Sequence, residues 1–125
     1  MLKKIKIITV VGTRPEIIRL SSIIKKMDNH KNIEHILVHT GQNYDYELNQ
    51  IFFEDLDLSQ PKYKILSKST NSIITITEII KKVDQIIKKE KPDAFFILGD
   101  TNSCLSAIAA KKNKIPIFHY EAGNR

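Results

Sequence analysis

The chain has 125 residues, 42% of them hydrophobic and 27% charged, with a formal net charge of +6 at pH 7; it is read as one soluble globular domain, residues 1–125, able to bury its own core. No apolar run approaches the roughly 20 residues that cross a bilayer, and MLKKIKIITVV turns polar too soon for a secretory leader, so no membrane partner is expected and the protein is read as cytoplasmic. The single cysteine, Cys104, excludes an internal disulfide, and the scattered His30, His35, His39 and His119 offer no zinc spacing, so no metal is expected.

The chain opens with KIKIITVV (4–11), a β-branched run that ends at Gly12 and predicts a strand. In the following PEIIRLSSIIKKM, Ile17, Leu20, Ile24 and Met27 recur at helical spacing. Thr13 and Glu16 have the spacing of a capping box, and Pro15 falls in the first turn, where its missing N–H costs nothing. The same stretch, VVGTRPEIIRL, holds Arg14 and Arg19, two of only three arginines in a chain with 17 lysines. Arginine's planar fork matches phosphate and carboxylate oxygens two at a time, so its placement here suggests anion recognition. With so few arginines, chance placement is the competing explanation.

EHILVHT before Gly41 predicts a second strand, and YDYELNQIFFEDL a helix with Leu48, Ile51, Phe52 and Leu56 facing inward. A weaker strand, PKYKIL (61–66), leads to a long helix from about Ser72 to Lys89. PDAFFIL (92–98) is a fully apolar strand ending at Gly99, NSCLSAIAAKK a small-residue helix, and IPIFHY (115–120) the last strand. Lysines fall in pairs, 25 and 26, 81 and 82, 88 and 89, 111 and 112, which is read as placement at helix ends, where the dipole favours cations. Solvated lysine faces of this kind give no reason to expect nucleic acid as a partner, although the net charge raises the question.

Five strands alternating with four helices predict an α/β fold, a Rossmann-like doubly wound parallel sheet with helices on both faces. In a strand order of 3-2-1-4-5 the switch point falls between strands 1 and 4, and ligands bind beyond the carboxyl ends of strands at such a point. The loops leaving those strands are GTRPE and GDTNS. Topology thus places Arg14 and Asp100 on opposite lips of one crevice, with Glu121 beside Asp100 and the amino-terminal end of helix 1 near by. Strand 1 lacks a G-x-G-x-x-G turn and strand 2 ends without an acidic residue, so a dinucleotide is disfavoured; the P-loop signature is also missing.

VVGTRPEIIRL, LVHTGQNYD, ILGDTNSCLSAIAAKK and FHYEAGNR together resemble the non-hydrolysing UDP-N-acetylglucosamine 2-epimerase family. The likeness covers residues 10 to 125 and implies the amino-terminal half of a glycosyltransferase-B-type architecture, its second nucleotide-binding domain absent here. EAGNR and HTGQNYDYELNQIFF are similar to the branch that makes UDP-N-acetyl-L-fucosamine for capsules from the L-talo sugar. The implied activity is that of an isomerase interconverting UDP-GlcNAc and UDP-ManNAc, or acting on UDP-2-acetamido-2,6-dideoxy-L-talose, as a homodimer at full length. The 125-residue chain alone is expected to be inactive. A nucleotide-sugar-binding module without catalysis, or a glycosyltransferase, are the readings from other classes.

The C2 hydrogen of a 2-acetamido sugar is not next to a carbonyl carbon, so its inversion requires either transient oxidation or elimination of UDP and re-addition. With no dinucleotide fingerprint in the sequence, elimination is favoured and no cofactor is expected. Elimination needs a base and a proton donor at C2 and cations for the departing UDP. Asp100 and Glu121 are the available carboxylates, and Arg14 and Arg19 the available cations for the UDP phosphates. Asp100 also suits the cap of helix 4, and Glu16 is read as a capping residue rather than a catalyst. Gln42 matches a position implied by the resemblance to contact an allosteric UDP-sugar. His119 is read equally as a structural histidine or a substrate contact, and Cys104 as a small buried residue.

Overall fold

In a computed structural model of the chain, the described residues are 4–40, 46–65, 71–99 and 102–120. They form β1 (Ile5–Val11), α1 (Arg14–Asn29), β2 (Ile33–His39), α2 (Tyr46–Asp55), β3 (Tyr63–Lys64), α3 (Ser72–Glu90), β4 (Ala94–Leu98), a 3₁₀ turn (Asn102–Ser106), α4 (Ala107–Lys112) and β5 (Ile117–Tyr120). The five strands make one sheet in the order β3-β2-β1-β4-β5, every pairing parallel. The expected doubly wound α/β fold and its strand order are both observed.

Alternation along the strands builds two cores. Ile8 and Val10 of β1, Ile36 and Val38 of β2, and Phe95 and Ile97 of β4 face α3 and α4, where Ile79, Val83 and Ile87 close over them. Val11, Leu37 and Leu98 point the other way, onto Ile17, Leu20 and Ile24 of α1 and Phe53 of α2. The inward residues expected for α1 are all buried.

Five details differ from expectation. In α2, Ile51 is 51% exposed, and Phe53 is the buried residue at 1%; its ring meets His39 edge-on, 5.8 Å between centroids. β3 shrinks to two residues, and the helix expected over NSCLSAIAAKK opens as a 3₁₀ turn before α4 begins. Lys81 and Lys82 lie in the middle of α3, not at its end, which carries Lys88 and Lys89. Cys104 is only partly buried, its thiol donating to the Leu98 carbonyl.

The far end of α3 is tied to the sheet through Glu90, a carboxylate only 8% exposed. It accepts from the Tyr63 hydroxyl and pairs with Lys62 at 2.9 Å and Lys6 at 3.5 Å. The tyrosine hydrogen bond above all, then the lysines, hold its pKa at about 2 against the opposing cost of burial. A folded-state pKa below the unfolded 4.5 means this stabilisation is present above about pH 4.5 and is lost as pH falls toward 2. Glu90→Gln is expected to cost about 2 kcal/mol at pH 7, the scale of hydrogen bonds to a charged group. In urea melts the deficit against wild type shrinks between pH 4.5 and 2; an equal deficit at both ends would show that charge is not its source.

Candidate functional site

The β1–β4 register runs Ile7↔Ala94, Ile8↔Phe95, Thr9↔Phe96, and its continuation brings Gly12 level with Gly99. The turns that leave the two central strands therefore lie side by side at the carboxyl edge of the sheet, the switch point of this topology.

The turn after β1 is fixed by its own side chains. Thr13 caps α1, accepting from the Glu16 N–H, and the Glu16 carboxylate returns a bond to the Thr13 N–H at 2.7 Å, the capping box read from the sequence. The same Oε2 atom also accepts from the Gly12 N–H at 2.7 Å and the Thr13 hydroxyl at 3.1 Å. Glu16 is 3% exposed. The Gly12 and Thr13 backbone donors at this helix end are thus already bonded to a carboxylate of the chain itself.

Arg14 is the first residue of α1 and is exposed. Its guanidinium carbon sits 5.3 Å from the Phe52 ring centroid, a cation–π contact that holds the fork against α2. Arg19 is exposed on the same helix, but five positions along turn it about 140° around the axis. The two arginines therefore leave α1 in different directions.

On the β4 side, Gly99 takes φ +71°, a left-handed conformation that glycine adopts without penalty. Its N–H donates to the Tyr120 carbonyl at 3.0 Å, and its own carbonyl accepts from the His119 ring. β5 thereby grips the residue that precedes Asp100, and of the two readings of His119 the hydrogen bond to Gly99 supports the structural one. Asp100, Glu121 and Gln42 lie outside the described residues.

Two residues of the edge escaped the sequence reading. His39 ends β2 beside β1, 3% exposed; burial, reinforced by Lys64 and opposed by Glu16, lowers its pKa to about 4, so it is neutral at pH 7. Thr40 follows, its N–H and hydroxyl both directed at the Val11 carbonyl. The available signal was a polar pair closing an apolar strand. A second polar line, Asp28–His35–Thr9 with both contacts at 2.7 Å, has the order of a nucleophilic triad, but Thr9 is 0% exposed in mid-strand and no substrate reaches it. Among the described residues no cluster of three His, Cys, Asp or Glu is placed to hold a metal ion.

A family model described as UDP-N-acetylglucosamine 2-epimerase matches residues 25–125. A solved UDP-N-acetylglucosamine 2-epimerase from Rickettsia bellii is 56% identical and superposes with a TM-score of 0.86 over 98% of this chain and 32% of its own. A Methanocaldococcus jannaschii UDP-GlcNAc 2-epimerase, solved in complex with UDP-GlcNAc and UDP, is 39% identical with a TM-score of 0.82, over 97% of this chain and 33% of its own. The Pseudomonas aeruginosa UDP-2,3-diacetamido-2,3-dideoxy-D-glucuronate 2-epimerase is 38% identical over 96% of this chain and 34% of its own. The chain spans about a third of the length of the curated relatives it matches.

Proposed function

This chain belongs to the UDP-N-acetylglucosamine 2-epimerase family, and from that premise we propose that it is the amino-terminal domain of an isomerase that inverts C2 of a UDP-2-acetamido sugar. The substrate is UDP-GlcNAc, interconverted with UDP-ManNAc, with the 2-acetamido-2,6-dideoxy-L-talose analogue as the second reading on the strength of EAGNR and HTGQNYD. The enzyme works at its relatives' length as a cytoplasmic homodimer supplying cell-surface or capsule polysaccharide. Among the described residues no helix is long and apolar enough to cross a membrane.

The observation that carries the reading is the juxtaposition at the sheet edge, where the turn bearing Arg14 lies beside the turn that leads into Asp100. In the proposed reaction a carboxylate, Asp100 or Glu121, takes the C2 proton as the bond from C1 to the UDP oxygen breaks. That gives a 2-acetamidoglycal and UDP. UDP then adds back to C1 while C2 receives a proton on the opposite face. Arg14 holds the diphosphate, whose charge grows as it leaves, Arg19 reaches it from a second direction further along α1, and Gln42 contacts a regulatory UDP-sugar.

Arg14→Lys tests the phosphate assignment, because it keeps the charge and removes the fork. Calorimetric titration of the polypeptide carrying this sequence at its natural length is expected to show UDP affinity reduced about tenfold, the scale of one good charge-assisted hydrogen bond. Unchanged affinity would remove Arg14 from the site.

A further inference from the structure

An open helix terminus binds anions through its unpaired N–H groups. At the start of α1 several of these donors are taken by the chain itself. The Gly12 and Thr13 N–H groups go to Glu16 Oε2, the Glu16 N–H to the Thr13 hydroxyl and the Ile17 N–H to the Thr13 carbonyl, while Pro15 has no N–H to give. The carboxylate that closes the turn is buried at 3% exposure, at the end of the helix where a second anion would otherwise be drawn by the macrodipole.

We infer that Glu16 is the resident anion of this crevice and a positioning residue for the nucleotide phosphates. It does two things at once. By tying Gly12 to Thr13 it sets the backbone from which Arg14 leaves the first position of α1. By occupying the Gly12 and Thr13 amides it keeps the diphosphate off these two donors and toward the arginine side chain, and its charge weakens the hold on UDP. That weakening suits a reaction in which UDP must detach from C1 and return, as the proposed function requires; the inference rests on that reading.

The decisive variant is Glu16→Gln, whose side-chain oxygen still accepts the three hydrogen bonds but carries no charge. With UDP as the probe and the natural-length polypeptide, Glu16→Gln is expected to bind about three- to tenfold more tightly than wild type, the effect of one like charge removed from near a phosphate. The gain should shrink as salt is raised. A residue that served only as a helix cap gives equal or weaker binding on replacement, and that result overturns the inference.

Should the variant fail to fold, wild type decides the matter. On UDP titration the Gly12 and Thr13 amide resonances are expected to stay near their free positions while the Arg14 side-chain resonance moves. Large amide shifts would mean that phosphate displaces Glu16, against the inference. A folded wild type that binds no UDP would refute the proposed function itself, whereas UDP binding unaltered by Glu16→Gln refutes only the role of Glu16.

Discussion

Asp100→Asn is expected to lower C2 proton exchange about 10³-fold or more, within the range a positioned general acid or base contributes, while UDP affinity stays within about twofold, well under the tenfold that one hydrogen bond to a charged group can carry. The amide is close to the carboxylate in shape and retains one oxygen acceptor, so a purely structural role of the side chain survives the change; capping of α4 is not that role, because α4 starts at Ala107 behind Ser106. Only proton transfer is removed. Deuterium incorporation at C2 of the sugar, measured beside UDP titration, separates the two roles. Exchange retained at the wild-type rate would reduce Asp100 to a structural residue and leave Glu121 as the base.

The largest expected effect on stability comes from Phe95→Ala. Phe95, the second residue of β4, is 0% exposed, pairs with Ile8 on one side and Ile117 on the other, and anchors the core beneath α3. Removing a buried ring costs about 3–5 kcal/mol through lost transfer energy and the cavity left behind. A domain of this size is stable by only about 5–15 kcal/mol, so the variant sits near its unfolding transition at room temperature. A urea melt of the 125-residue chain checks this, and a loss under about 1 kcal/mol would mean that the sheet collapses into the space.

Local pattern carried much of the architecture. The β-branched run ending at Gly12 and the apolar run ending at Gly99 marked the central strands, and the Thr13–Glu16 spacing marked the start of α1; all are where sequence placed them. The strand order followed from reading the alternation as a mononucleotide-type half. What sequence did not disclose depends on how elements meet. Whether Ile51 or Phe53 faces inward is set by the rotation of α2 against His39, a contact between separate elements. Glu90 draws its partners Lys6 and Tyr63 from 84 and 27 residues away, distances over which no spacing rule reaches.

The site was legible to a similar depth. Arg14 is the first residue of α1, just beyond the carboxyl end of β1. Arg19 leaves α1 in another direction, because helical periodicity separates positions that look close in sequence. The capping box was visible, but its consequence was not: only the three-dimensional turn reveals that Glu16 also takes the Gly12 amide. His39 was passed over because nothing in VHT announces that burial will hold its ring neutral.

The central claim, inversion at C2 by elimination and re-addition of UDP, is tested most directly by a proton NMR time course in D₂O. The natural-length polypeptide is incubated with UDP-GlcNAc, and in parallel with the UDP-2-acetamido-2,6-dideoxy-L-talose analogue. The account predicts loss of the C2 proton signal of one substrate together with appearance of its C2 epimer carrying deuterium at that position. A folded protein that leaves the C2 proton of both sugars in place, or an epimer that retains the original hydrogen, would contradict it.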